Sequence, residues 1–172
     1  MTRITPSGRE ITFGDEEIIV SKTDQKGRIT YANDVFLKIA GYRASEVIGQ
    51  PHSMIRHPDM PRSVFQLLWD TIQRGDEIFA YVVNLAKNGD HYWVFAHVTP
   101  TFGPRGDIIG FHSNRRSPDR AAVQRIQPIY EQLLREELRH ESKRDGIAAA
   151  TRELVTMLEK ASMTYGEFAF RV

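Results

Sequence analysis

Three consecutive β-rich stretches joined by tight turns constrain the fold more than any other feature of this sequence. Residues 78–85, 91–101 and 107–116 are rich in β-branched and aromatic side chains. The turns between them, Lys-Asn-Gly-Asp at 87–90 and Gly-Pro-Arg-Gly at 103–106, are short. Connections of this length join neighbouring antiparallel strands. The sequence therefore predicts a three-stranded antiparallel meander.

The segment before the meander combines a hairpin with helices. Residues 17–23 and 28–32 have strand composition and flank the turn signal at 24–27. Asn33 and Asp34 are suited to cap a short helix that Gly41 ends, and Pro61 opens a longer amphipathic helix that closes at Gly75. This order predicts an α+β domain with short helices over one face of the sheet.

A helical pattern follows Pro118. Apolar residues recur at steps of three and four, namely Val123, Ile126, Ile129, Tyr130, Leu133, Leu134 and Leu138. Because Pro128 lies inside this pattern, the helix either kinks there or begins afresh near Gln127. Asp145-Gly146 is expected to separate it from a second helix over 147–160, whose buried stripe comprises Leu154, Val155, Leu158 and Ala161. The sequence predicts a C-terminal helical hairpin.

Composition excludes several classes of function. The chain has no Cys, which removes disulfides, thiolate catalysis, iron–sulfur clusters and flavin–thiol adducts. Lys and Arg number 23 against 22 Asp and Glu without clustering, so no nucleic-acid partner is expected. The longest apolar run, 78–83, is far shorter than the ~20 residues of a membrane span, and the N-terminus lacks a signal-peptide pattern. These observations predict a cytoplasmic protein without a membrane span.

Motifs for catalysis and metal binding are absent from the sequence. It contains no G-x-S-x-G, Walker A or Rossmann glycine pattern, and its six His residues show no H-E-x-x-H spacing. We therefore expect a protein that is not an enzyme and has no zinc site.

Residues 56–59 concentrate groups that bind ligands. Arg56 is a fixed cation able to hold a pyrophosphate, and Asp59 can accept a hydrogen bond from Arg56 or from a ligand hydroxyl. The alternative is a loop held together by its own ion pair. Asn84, on an otherwise apolar strand, needs a hydrogen-bond partner if buried and none if it faces water. Residue types alone leave these alternatives open.

Five short motifs carry a family resemblance. They are Tyr-Ala-Asn-Asp at 31–34, Gly-Tyr at 41–42, Gly-Gln-Pro-His at 49–52, Met-Ile-Arg-His-Pro-Asp-Met-Pro at 54–61 and Lys-Asn-Gly-Asp-His-Tyr-Trp-Val at 87–94. On these motifs, residues 15–120 resemble PAS domains, and among them the flavin-binding sensor domain of the bacterial aerotaxis receptor family. The resemblance implies a five-stranded antiparallel sheet of order 2-1-5-4-3 with a cleft under the short helices.

The same resemblance implies a domain organisation and a ligand. We expect an N-terminal cap over 1–14, a PAS sensor domain over 15–117 and a C-terminal helical extension over 118–172. The implied ligand is noncovalent FAD, whose redox state is the signal. The implied cofactor-binding residues are Arg56, His57, Asp59, Asn84, Asn33, Phe65, Trp69 and Ile78. At the position of Ile78 the family carries a flavin-contacting Trp, so an N–H donor is replaced here by an aliphatic side chain. For Trp69, a role in the hydrophobic core is the alternative to a cofactor contact.

These inferences predict a free-standing sensor that reports redox or oxygen state to an unidentified signalling partner. One alternative is a haem-binding gas sensor with His52 or His57 as axial ligand. Another is a cofactor-free PAS module for protein interaction. The helical stripe after Pro118 is too apolar to stay solvated, so it packs within the chain or on a second copy. We predict a homodimer to which this tail contributes.

Overall fold

The computed structural model describes residues 4–172, which form one five-stranded sheet and six α-helices. The strands are β1 (Ile19–Asp24), β2 (Ile29–Ala32), β3 (Ile78–Leu85), β4 (His91–Phe102) and β5 (Ile108–Arg116). The helices are α1 (Asp34–Ala40), α2 (Ala44–Val47), α3 (Arg62–Gln73), α4 (Arg120–Leu138), α5 (Lys143–Lys160) and α6 (Tyr165–Arg171), and a 3-10 turn spans His52–Ile55. The sheet is antiparallel throughout, with order β2-β1-β5-β4-β3. The expected architecture and strand order are confirmed.

Asn33 fixes the passage from the β1–β2 hairpin into α1. Its side-chain oxygen accepts from the backbone N–H of Phe36 at 3.0 Å, which caps the helix. The same amide accepts from the N–H of Val20 and donates to the carbonyl of Ile18. Gly41 ends α1 at φ 73°, a left-handed conformation that favours glycine. The predicted helix and its caps are confirmed.

The inner face of the sheet lies under α1 and α3. Strand alternation places Ser21, Asn84, Phe111 and Arg115 on this face. The Trp69 ring of α3 packs on Phe111, with 5.2 Å between ring centroids. The main core therefore lies between the sheet and these helices.

The outer face of the sheet is covered by the C-terminal helices. Trp93 stacks on Tyr130 of α4, while Phe95 packs on Phe170 of α6. The Tyr130 hydroxyl donates to the backbone oxygen of Tyr81 at 2.6 Å.

Much of the predicted apolar stripe of α4 is consequently buried within the chain. Ile126 and Leu133 have no exposed surface, whereas Leu138 is 75% exposed. The stripe therefore packs mainly within the chain, which is one of the two alternatives given above. The homodimer remains a prediction that needs other support.

The boundary between α4 and α5 differs from the prediction. Asp145 and Gly146 do not separate the helices, because α5 begins at Lys143 and the Ser142 side chain accepts from the Asp145 N–H. A Cβ at residue 146 would collide with the backbone oxygen of Glu137. Glycine is therefore required there by the close approach of α4, and the prediction that Asp145-Gly146 separates the two helices was wrong.

The structure decides two further points about the tail. The helix α4 runs through Pro128 as one element, so it does not begin afresh near Gln127. A third helix, α6, follows α5, so the tail is more than a hairpin. Thr164 and Glu167 form a capping box that starts α6. None of the helices within residues 4–172 combines the length and apolarity that crossing a bilayer requires.

Candidate functional site

A cavity of about 380 Å³ lies between the inner face of the sheet, α3 and the 3-10 turn. This volume falls within the roughly 300–1,000 Å³ typical of small-molecule sites. Its apolar walls include Leu68, Trp69, Ile72, Val82, Val98 and Phe111. Its polar lining includes Ser21, His52, Arg56, Asn84 and Arg115. The cavity corresponds to the cleft that the sequence resemblance implied.

Four of the eight candidate residues line this cavity: Arg56, Phe65, Trp69 and Asn84. An isolated antiparallel backbone bridge joins Arg56 to Asn84, which brings the loop and β3 together. The Arg56 guanidinium carbon lies 5.1 Å from the centroid of the Phe65 ring. Asn84 is 3% exposed, so its amide does not face bulk water. These four residues therefore lie in the wall of one cavity.

His57 and Asp59 lie outside the cavity lining. The buried His57 ring contacts the His91 ring edge-on, with 5.6 Å between centroids. The Nδ1 atom of His57 accepts from the backbone N–H of Asp59 and lies 3.6 Å from the Asp59 carboxylate. Burial lowers the pKa of His57, with Asp59 opposing the shift. Among residues 4–172 the Asp59 carboxylate thus lies beside His57 and not beside Arg56, and this contact is an ion pair only when His57 is protonated.

Asn33 and Ile78 also lie outside the lining. The side-chain contacts described above for Asn33 are to backbone groups of Ile18, just before β1, of Val20 in β1 and of Phe36 in α1. Ile78 is 5% exposed and belongs to the hydrophobic core. By alternation it shares the inner face of β3 with Asn84, but it lies six residues earlier in the strand. Both positions therefore have structural roles that do not require a ligand.

The lining is strongly cationic. Lys26, Arg56, Arg62 and Arg115 all contribute to it, whereas no Asp or Glu among residues 4–172 does. Burial and the neighbouring Arg62 lower the pKa of Arg56, and Glu137 opposes this shift. The cavity is thus electrostatically complementary to a ligand that carries negative charge.

Arg115 is a lining residue that sequence reasoning missed, as it also missed Lys26 and Arg62. Its side chain, on β5, is 2% exposed, donates to the Ser21 hydroxyl and lies over the Phe36 ring at 5.3 Å. Its Nε and Nη1 atoms have no hydrogen-bond partner in the part of the chain that the structure describes. Alternation could have identified it, because Arg115 shares a strand face with the apolar Phe111.

Two neutral groups lie near Arg115. Burial, together with Arg115, lowers the pKa of His52 to about 3, so this lining imidazole is neutral at pH 7. Burial raises the pKa of Tyr92, whose hydroxyl also lacks a partner among the described residues. Neither group offsets the charge of Arg115.

The C-terminal helices reach the cavity wall. Ile147 of α5 belongs to the lining. At the start of α3, the backbone N–H and the hydroxyl of Ser63 both donate to the Glu137 carboxylate of α4, at 2.7 and 2.8 Å. The wall formed by α3 is therefore physically joined to the tail. No group of three or more His, Asp or Glu suited to hold a metal occurs among residues 4–172.

Comparison with known proteins identifies relatives of the sequence. A family model described as "PAS fold" matches residues 29–115. The aerotaxis receptor of Escherichia coli K12 is 40% identical over 121 residues, which cover 70% of this chain and 24% of the receptor. The nitrogen fixation regulatory protein of Klebsiella pneumoniae is 29% identical over 99 residues, covering 58% of this chain and 20% of that protein. The chain thus spans about a quarter or less of these relatives' length.

Solved structures share the fold at lower sequence identity. A light-oxygen-voltage domain studied with a flavin analogue superimposes with a TM-score of 0.57 at 18% identity, covering 67% of this chain and 86% of that one. The light-state structure of the blue-light photoreceptor Aureochrome1 LOV gives 0.55 at 21% identity, with coverages of 71% and 91%. The matched family model, the sheet order and the cleft beneath the helices together show that this chain belongs to the PAS family.

Proposed function

We propose that this chain is a cytoplasmic PAS sensor that binds FAD noncovalently in its cavity and reports redox or oxygen state to a signalling partner. The observation that carries the proposal is a cavity lined by four cationic side chains and by no Asp or Glu of the described residues. One of the four cations, the buried Arg115, has two nitrogens without a hydrogen-bond partner among these residues. In this proposal residues 15–117 sense, residues 118–172 transmit and residues 1–14 form a cap. Support for the cap comes from its described part, where the Ile11 N–H donates to the His91 carbonyl.

The lining residues suit a flavin dinucleotide. The apolar walls with Phe65 and Trp69 match a flat aromatic ring, and the buried Asn84 amide matches the donors and acceptors on its edge. Arg56 and Arg62 supply a cationic clamp for a pyrophosphate, the group that FAD has and FMN lacks. A bound flavin would supply a redox-active ring. The chain's own residues would bind and orient it.

The comparison with relatives supports a sensory role. The E. coli relative is named an aerotaxis receptor, and its similarity to this chain extends over 121 residues. The sequence resemblance to that family implies FAD as the ligand and its redox state as the signal. Both are extended here to this chain as part of the proposal.

The proposed output runs through the C-terminal helices. A change in the charge of the bound ring alters its hydrogen bonds to lining residues, which can shift the balance between two arrangements of the wall. Because Ile147 lines the cavity and Glu137 holds Ser63, movement of that wall acts directly on α4 and α5. The tail is therefore the proposed route to the partner.

A haem sensor is the second candidate, and one observation favours it. His52 lines the cavity as a neutral imidazole, the form that ligates iron. His57, the other possible axial ligand, does not line it. If haem binds, His52 is the expected ligand.

Titration of ligand-free protein tests the choice of ligand. We expect FAD to bind more tightly than FMN, and Arg56→Ala to abolish that preference. Asn84→Ala should weaken both flavins equally, since it is proposed to face the ring. Arg105→Ala is the matched control and should change neither affinity, because the Arg105 side chain is exposed and lies outside the cavity lining. Binding of haem without flavin, or of neither, contradicts the proposal.

A further inference from the structure

The inner end of the cavity holds a positive charge that the protein itself does not neutralise. Arg115 is fully enclosed between β1, β5 and α1, and none of the ion pairs within residues 4–172 involves it. Its contacts are one hydroxyl, that of Ser21, and one aromatic face, that of Phe36. Two of its three nitrogens make no hydrogen bond to the described chain.

This arrangement is unfavourable for folding by itself. Buried charges in proteins are normally paired and hydrogen-bonded, because removing an ion from water costs several kcal/mol. Burial lowers the pKa of Arg115 only to about 10, so the guanidinium remains charged at pH 7. The neighbouring His52 and Tyr92 are neutral and cannot compensate it.

The Arg115 side chain lines the same cavity as Asn84 and His52. We propose that Arg115 is a ligand-binding residue, and that an electron-rich edge of the ligand, rather than any group of the protein, completes its hydrogen bonds. This inference takes only the identity of the ligand, a flavin, from the function proposed above. The acceptor-rich pyrimidine edge of the flavin ring is the part that fits.

The proposal also fixes the direction in which the ligand lies. Arg56 is partly exposed, whereas Arg115 is 2% exposed at the inner end of the cavity. The phosphates therefore lie towards Arg56 and the ring towards Arg115. The two arginines have separate roles, which substitutions can distinguish.

The first test compares Arg115→Met with Arg116→Met, a matched control because Arg116 is exposed at the next position of β5. In ligand-free protein, Arg115→Met should raise the urea midpoint of unfolding, because Met fills similar space without a buried charge. Arg116→Met should leave the midpoint unchanged. A ligand-free Arg115→Met protein that is less stable than the wild type, or that fails to fold, overturns the proposal.

The second test measures flavin affinity by fluorescence titration with FAD and with riboflavin, which lacks phosphate. Arg115→Met should weaken both at least tenfold, equivalent to about 1.4 kcal/mol. Arg56→Ala should weaken the binding of FAD but not that of riboflavin. Arg115→Lys should bind both flavins more tightly than Arg115→Met does, because lysine keeps the positive charge. Unchanged affinity of Arg115→Met for both flavins overturns the proposal.

The two tests separate this inference from the proposed function. If the wild type binds neither flavin, the flavin assignment fails. A stability gain in Arg115→Met would then still support a binding role towards a different electron-rich ligand. A stability loss would make Arg115 structural and overturn the inference as well.

Discussion

Replacing Glu137 by Ala should detach the start of α3 from the C-terminal helices. Ser63 is fully buried at the first turn of α3, and Glu137 is 8% exposed on α4. The carboxylate accepts from both the N–H and the hydroxyl of Ser63. It therefore supplies an acceptor at the start of α3, where the N-cap residue Pro61 makes no side-chain hydrogen bond to the helix. The substitution therefore leaves two buried donors without their acceptor.

The expected loss follows from these two hydrogen bonds. A hydrogen bond to a charged group contributes about 1.5–3 kcal/mol, and an unsatisfied buried group costs about 1–3 kcal/mol. Because water can enter beside α4 and recover part of this, we expect Glu137→Ala to lower the free energy of unfolding by about 2–4 kcal/mol. Glu137→Gln keeps an acceptor oxygen without the charge, so its loss should be smaller.

Urea unfolding of a double-mutant cycle with Ser63→Ala measures this interaction directly. Hydrogen exchange should show faster exchange at the first turn of α3 in Glu137→Ala, and Glu141→Ala, an exposed neighbour, should behave as the wild type. A coupling energy near zero between Ser63 and Glu137, or equal stability of the Glu137 and Glu141 variants, would refute this reasoning.

Three further predictions follow from individual contacts. Tyr130→Phe should lower the free energy of unfolding by about 1–3 kcal/mol, since the Tyr81 carbonyl loses its donor and the Tyr165 hydroxyl its partner; urea titration of the variant measures this, and an unchanged midpoint contradicts it. The pKa of His52 is about 3 in the folded chain and 6.5 for an unperturbed histidine, so its stabilising contribution is complete above pH 6.5 and is lost as pH falls towards 3, at up to about 1.4 kcal/mol per pH unit. His52→Asn should remove that part of the pH dependence in unfolding experiments, and a wild-type slope in the variant would show that His52 does not cause it. Sedimentation of the full chain should reveal the predicted homodimer, which Leu138→Glu should weaken if the exposed Leu138 of the tail takes part; a monomer at high micromolar concentration contradicts the dimer, and an unchanged dimer in the variant removes Leu138 from its interface.

The sheet and α3 could be predicted because their signals are local. The turns at 87–90 and 103–106 set the meander, and Pro61 and Gly75 bracket the amphipathic helix. The strand order and the cleft came from the family resemblance, since pairing between distant strands leaves no local pattern.

The tail was harder to predict because tertiary contacts override its local signals. Gly146 has the appearance of a break in sequence, but it occurs inside α5 where the backbone of Glu137 passes close by. The helix α6 spans seven residues and is held on the sheet by contacts such as Phe170 on Phe79. Periodicity over so few residues cannot distinguish a helix from a loop.

The candidate site could be predicted only in part, because the burial of its residues depends on tertiary contacts. The family resemblance implied Arg56 and Asn84 as binding residues, and both line the cavity. Arg115 was missed because arginines in strands are usually exposed, although its position on the same strand face as Phe111 was a signal of the burial that the structure shows. Conversely, Asp59 resembles a ligand-binding residue in sequence, but its side chain is 75% exposed outside the lining.

The absorption spectrum of freshly purified full-length protein, followed by chromatography of the ligand that acid or heat releases, tests the FAD sensor most directly. We expect a yellow protein with flavin bands, and a released ligand that elutes as FAD rather than FMN, because Arg56 and Arg62 offer a site for the pyrophosphate. A red-brown protein with a Soret band would indicate haem, and a colourless protein from flavin-replete cells would indicate a cofactor-free module. Either result would contradict FAD as the ligand.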